Sequence, residues 1–177
     1  MKKPIPRLSP PTLTRITRPK LLLACQRVLE LALQYKPSEH HRELGYDGLL
    51  FGYLDACFGK IKRQYRIKMG KSGVPKRIDF RQGGMSPVVV EFAVRTPGRN
   101  EIYGSQNRDE IRKLARQRKA SARYLILFDL SRKPPVNLFD LWNTYRQVNS
   151  GPGKFKRKPV QVLYLHPKLV GWFLWRP

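Results

Sequence analysis

Acidic residues are scarce: 12 Asp and Glu stand against 36 Lys and Arg, so the 177-residue chain carries a formal net charge of +24. An enzyme of small neutral metabolites has no use for that imbalance. Positive charge in such excess repels itself in a compact fold unless a polyanion relieves it, which makes nucleic acid the expected partner. An anionic membrane surface is the weaker candidate. No apolar run approaches the roughly 18 residues a spanning helix needs, and Leu21-Leu22-Leu23 is too brief and too late for a secretion signal. A cytoplasmic protein without a membrane partner is therefore expected. Cysteine is also rare. Cys25 and Cys57 stand in apolar, helical-looking surroundings with no C-x-x-C spacing, which reads as buried thiols and sets aside structural zinc. His40-His41 beside Glu39 and Glu43 reads more simply as a solvated helical turn than as a metal cluster. There is no nucleophile triad, P-loop or Gly-rich dinucleotide fingerprint.

What is present suffices for one domain. Hydrophobic residues make up 41% of the chain, enough for a core, and no internal repeat or obvious linker divides it. Residues 1–20 hold five prolines, six Lys or Arg and no acid, and read as a basic arm ahead of a domain over 21–177. An extended strap over the domain is the alternative. Leu22, Cys25, Val28, Leu29, Ala32 and Leu33 recur at helical spacing up to Pro37. A second helix is expected from Ser38 to Phe58, with Gly45 as a candidate break. The period then changes to two in Ile61, Arg63, Tyr65, Ile67 and Met69. Gly70-Lys-Ser-Gly73 supplies a turn before Arg77-Ile-Asp-Phe80, and Gly83-Gly84 a second turn before a β-branched strand over 87–94. A basic helix over 105–120, a buried strand over 123–129, a helix over 138–148 and a strand over 160–166 complete an α/β order. The apolar C-terminal segment with Trp172 and Trp175 reads as packing or a partner contact.

In a chain so poor in carboxylates, an acid inside a strand costs desolvation that a surface acid does not. Asp79 ends the Arg77–Phe80 strand and Glu91 lies inside Val88-Val-Val-Glu-Phe-Ala-Val94. Across a hairpin the two carboxylates can sit about 5 Å apart on neighbouring strands. Such a pair repels itself unless a hard cation lies between; Mg²⁺ or Mn²⁺ would take these oxygens, keep waters and accept a substrate phosphate.

Asp79, then Glu91 twelve positions on along a β-branched strand, then a helix and a buried strand, resembles the PD-(D/E)XK nuclease superfamily with its restriction-endonuclease-like αβββαβ core. The likeness covers roughly residues 38–131, and the order of elements carries more of it than the short motif. It implies a single α/β domain with an extra N-terminal helix and C-terminal strand. It also implies metal-dependent endonucleolytic cleavage of nucleic acid, DNA favoured over RNA, with Asp79 and Glu91 as metal ligands. Glu43, with Asp47 second, is the candidate assisting acid on the preceding helix.

One departure bears on activity. The family's lysine falls two residues after its acid, on the same strand face, and here Ala93 holds that place. Arg95 lies one further step along that face, but an arginine stays charged and accepts no proton. Lys113 shares a helix face with Gln106 and Glu110 and is the candidate for a lysine supplied from elsewhere. The alternative function is a catalytically degenerate nuclease-fold protein that binds nucleic acid as a subunit of a nucleoprotein complex. An RNA-packing protein of unrelated fold is a third reading, and the subunit count, homodimer included, stays open. A simpler reading of the acids pairs Asp79 with Arg77 or Arg81 and Glu91 with Arg63 or Arg66 at strand positions.

Nine Lys or Arg and one acid lie between Lys60 and Arg81, and Arg63, Tyr65, Arg66, Lys68, Lys71, Lys76 and Arg77 are candidate nucleic-acid contacts. Strict alternation would put Arg63, Tyr65 and Ile67 on one face and Lys62, Arg66 and Lys68 on the other. Lys154, Lys156, Arg157 and Lys158 form a second cluster around Phe155, which is placed to stack on a base. If these groups neutralise about six to ten phosphates, affinity should fall by about 10³ to 10⁵ between 50 and 200 mM salt. Fluorescence anisotropy across that range checks this; a flat salt response would remove the polyelectrolyte reading.

Overall fold

A computed structural model of the protein describes residues 15–34, 42–67, 76–95, 107–132, 134–148 and 158–177, with the side chains of 42–44, 66, 67 and 76 outside the description. Six strands form one mixed sheet in sequential order: β1 (Ile61–Ile67), β2 (Lys76–Gln82), β3 (Val88–Arg95), β4 (Ala122–Asp129), β5 (Val160–His166) and β6 (Leu169–Trp175). The β1–β2, β2–β3 and β5–β6 pairs are antiparallel, whereas β3–β4 and β4–β5 are parallel. Helices α1 (Arg18–Gln34) and α2 (Arg42–Phe58) precede the sheet, α3 (Arg108–Ala115) joins β3 to β4, and α4 (Leu138–Arg146) joins β4 to β5. A parallel pair needs such a crossover, and a helix is the usual way to make it.

Each sheet face has its own core. On one, Leu21, Cys25, Val28 and Leu29 of α1 and Leu50, Leu54 and Phe58 of α2 meet Phe80, Val88, Val90, Ile126 and Phe128. On the other, Ile111 and Leu114 of α3 and Leu141 and Tyr145 of α4 meet Val89, Leu125, Leu127, Val162, Tyr164 and Trp175. The alternation of even and odd positions along β3 and β4 follows from strand geometry. Covering both faces explains why β4 reads as a continuous apolar run.

Several expectations are corrected in detail. Ile16 is buried, its N–H donates to Gln82 Oε1 at 2.9 Å, and α1 begins at Arg18, so residues 15–20 belong to the folded part rather than to an arm. Helix α2 runs unbroken through Gly45. Helix α3 stops at Ala115, short of 120, because the buried Arg123 guanidinium gathers the carbonyls of Gln117 (3.0 Å from Nε) and Ala120 (2.7 Å from Nη2) and holds the following turn closed. Strand β6 was not expected. It pairs with β5 through a two-residue link, Pro167-Lys168, that carries none of the usual hairpin residues. Trp175 is buried there, while the half-exposed Trp172 ring lies 3.6 Å from the Arg18 guanidinium. The apolar tail is therefore part of the sheet. Cys25 is buried, Cys57 half-buried, and both are free thiols; burial pushes both up from the usual thiol range.

Helix α4 approaches β6 closely at Gly171, where an added Cβ would lie 2.2 Å from Leu138 Cδ1. Gly171→Val should therefore lower stability by about 1–3 kcal/mol through overpacking. Adding Leu138→Ala should recover part of that loss, since residues in contact are not additive. Denaturant titration of both variants checks this; a neutral Gly171→Val would show that α4 does not rest on β6.

Candidate functional site

The site forms where the regular pairing of β2 fails. The β2–β3 ladder comprises Phe80↔Val90, Arg81↔Val89 and Gln82↔Val88, and one step further would place Asp79 against Glu91. In place of the ladder bond, the Asp79 side chain takes over: Oδ2 accepts from the Phe92 N–H at 2.9 Å. Its other oxygen, Oδ1, accepts from Gln64 Nε2 at 3.2 Å. On β1, Gln64 sits at φ 51°. A non-glycine residue in that left-handed region costs about 1–2 kcal/mol and breaks strand alternation.

The break shows on both strands. Phe80 belongs to the core under α1 and α2, whereas Ile78, two residues earlier, belongs to the core under α3 and α4. Opposite them, Arg63 pairs with Asp47 of α2 and lies over the Phe51 ring, while Tyr65 packs on the second core beneath Arg81. Arg63 and Tyr65 thus point to different faces, correcting the expectation of a shared one. The left-handed residue between them is the physical reason.

Glu91 lies on the second face and is 1% exposed. Its Oε2 is 2.8 Å from Lys113 Nζ of α3, and its Oε1 is buried with no hydrogen-bond donor. Burial pushes its carboxyl up to about 9; the Asp79 charge adds to the rise, and Lys113 opposes it without cancelling it. Asp79, half-buried, is the more water-facing member of the pair. Asp47 is also pushed up, first by burial and last by the Asp79 charge, with Arg63 pulling it down. Three carboxylates from α2, β2 and β3 therefore feel one another in series, although among the described residues no group of three His, Cys, Asp or Glu stands as a ready metal cluster.

The donor chemistry of the pair suits a hard divalent cation. Both groups offer carboxylate oxygens, one of them has a buried orphan atom, and Mg²⁺ needs only one or two protein carboxylates beside water and phosphate. A buried carboxylate beside a second one needs either a proton or a cation to offset its desolvation and the repulsion.

The other candidate residues are dispersed. Arg95 Nη1 bonds Asp129 Oδ2 at 3.2 Å, and the fully buried Asp129 also accepts from Tyr164 Oη at 2.7 Å and Ser131 N at 2.9 Å. Arg95 is thus committed at the far end of β3, four residues beyond Glu91. Glu43 stands one turn before Asp47 in α2 and its side chain lies outside the described residues, as do those of Arg66 and Lys76. Gln106, Lys68, Lys71, Lys154, Lys156 and Arg157, with His40 and His41, fall outside the described residues. Lys60, Lys62, Arg63, Arg77 and Lys158 are exposed. Neither Arg77 nor Arg81 neutralises Asp79 in the described contacts: Arg81 Nη2 donates to the Gly84 carbonyl at 2.7 Å. Sequence reasoning missed Gln64 and the Phe92 N–H. Strand alternation offered no reason to single out a glutamine within Lys62–Arg66, and a backbone donor leaves no trace in the letters.

Comparison of the chain with protein-family models, with curated proteins and with solved structures finds no match in any of the three. Among the described residues no helix is long and apolar enough to cross a membrane.

The raised carboxyl of Glu91 fixes the sign of a pH effect. Folded Glu91 holds its proton up to about 9, whereas the unfolded group releases it near 4.5, so its contribution to stability is lost as pH rises between those values. In chelator, the thermal midpoint of the unaltered chain should fall over that window more than that of Glu91→Gln, which cannot ionise. Parallel midpoint curves for the two proteins would contradict the assignment.

Proposed function

We propose that the chain is a metal-dependent endonuclease-like protein that holds Mg²⁺ or Mn²⁺ between Asp79 and Glu91 and cleaves phosphodiesters of nucleic acid, with DNA as the favoured substrate. The observation that carries the reading is the meeting of these two carboxylates at the broken end of the β2–β3 ladder, in a chain of net charge +24, with Glu91 Oε1 buried and unpaired. The order of elements supports it: α2, then the β1–β2–β3 antiparallel series, then α3, then β4 parallel to β3 follows the αβββαβ order that the resemblance to this superfamily implies.

Each residue has a distinct part. Asp79 and Glu91 supply oxygen ligands, and the Phe92 N–H turns the Asp79 carboxylate towards its neighbour. Bound there, a divalent ion polarises a phosphodiester and lowers the pKa of a water. Lys113, reaching Glu91 from α3, stands in for the lysine that Ala93 lacks and adds positive charge where the phosphate gathers negative charge. The exposed Lys60 ahead of β1, together with Lys62 and Arg77 of the β1–β2 ribbon, neutralises backbone phosphates, which positions a strand without reading its sequence.

A second reading, a non-cleaving nucleic-acid-binding subunit on the same fold, draws on one observation: Lys113 already occupies Glu91 Oε2. Incubation of DNA and RNA substrates with Mg²⁺ or Mn²⁺ separates the two. Cleavage by the unaltered chain, lost by at least 10²-fold in Asp79→Ala with binding retained or improved, is the expected result. Binding without cleavage at any ion concentration would leave the second reading; equal cleavage by Asp79→Ala would end the first.

A further inference from the structure

Gln64 is the one described residue of β1 with a positive φ, 51°, and it stands at the position facing Asp79. A strand residue adopts that conformation only where its surroundings hold it there, and such residues cluster at functional sites. The effect is specific. By reversing the alternation, it sends Arg63 towards Asp47 and Tyr65 into the opposite core, and leaves its own amide on Asp79 Oδ1 at 3.2 Å. With Oδ2 fixed by the Phe92 N–H at 2.9 Å, the Asp79 carboxylate is clamped from both strands that flank it. What it has left are the lone pairs not used by these donors, beside the unpaired Glu91 Oε1.

We infer that Gln64 is a positioning residue for the ion site, its strained backbone and side-chain amide together aiming the Asp79 carboxylate at the place it shares with Glu91. This rests on the nuclease-like reading and deepens it. A glutamine suits the task because it donates a hydrogen bond to a carboxylate without adding a positive charge, which a lysine or arginine at the same place would set against the incoming cation. Exposure of Gln64 leaves the amide free of any other duty in the core. Partners that orient a metal ligand from outside the coordination shell typically change affinity or activity by about 10- to 100-fold when removed.

Two substitutions in the full chain separate positioning from strain. Gln64→Ala removes the amide and keeps the backbone penalty; Gln64→Gly removes the amide and relieves the penalty. Titration calorimetry with Mn²⁺ should show both binding about 10- to 100-fold more weakly than the unaltered chain, although Gln64→Gly has the higher thermal midpoint of the two. In the cleavage assay kcat should fall while KM for nucleic acid stays put. If Gln64→Gly binds Mn²⁺ as tightly as the unaltered chain, the positioning role is overturned while the ion site stands. If the unaltered chain itself binds no Mn²⁺, both fall together.

Discussion

Glu91 is a carboxylate with almost no access to water, set beside a second carboxylate, in a protein that has few acids to spare. Burying a charge is costly unless it is paired and hydrogen-bonded, and two like charges in one place raise the cost further. The architecture around this pair answers that demand in steps. Lys113 comes across from α3 to one oxygen of Glu91, and the β2–β3 ladder gives up a backbone bond so that the Phe92 N–H can hold Asp79. Gln64 leaves the extended conformation to hold Asp79 from the other side. The second oxygen of Glu91 is left over. Burial and the Asp79 charge push that carboxyl up, which favours a proton in the gap; in the proposed function a divalent cation would take the proton's place.

The two helical layers make this possible by drying out the sheet. With α1 and α2 on one face and α3 and α4 on the other, the middle strands have little access to water, and an acid placed on β3 is desolvated whatever its partner. The contrast with Asp129 is instructive. That carboxylate is equally buried at the end of β4, yet three donors, from Arg95, Tyr164 and Ser131, satisfy it. It fixes the ends of β3, β4 and β5 to one another and has no gap left for an ion. Burial alone therefore does not mark a site; an unsatisfied oxygen beside a like charge does.

Much of the fold was legible because periodicity reports burial. The runs 88–94 and 123–129, the helical stripe from Leu22 to Leu33 and the two-residue alternation after Gly59 all fall on elements of the structure, although in α1 Leu21 is buried and Leu33 is exposed. The nearness of Asp79 to Glu91 was expected from a hairpin register; the Gly83 turn, at φ 91°, sets that register, but the ladder stops at Phe80↔Val90, one step short of the two acids. Two things were not legible. Strand β6 follows a Pro-Lys link rather than recognised turn chemistry, so Leu169–Trp175 read as a tail. The face of Arg63 depended on a single left-handed residue, Gln64, and no propensity favours glutamine there over its neighbours. Lys113 could be placed on the right face of α3 from helical spacing, but its reach to Glu91 Oε2 needed the crossover geometry of β3–α3–β4.

Anomalous diffraction from crystals of the full chain grown with Mn²⁺ tests the account most directly. One manganese peak at about 2.0–2.2 Å from oxygens of both Asp79 and Glu91, with Lys113 still beside Glu91 or displaced to face the ion, is the result expected for an oxygen-bound divalent cation. A map at saturating Mn²⁺ with no peak between the two side chains, and Glu91 unchanged against Lys113, would contradict it.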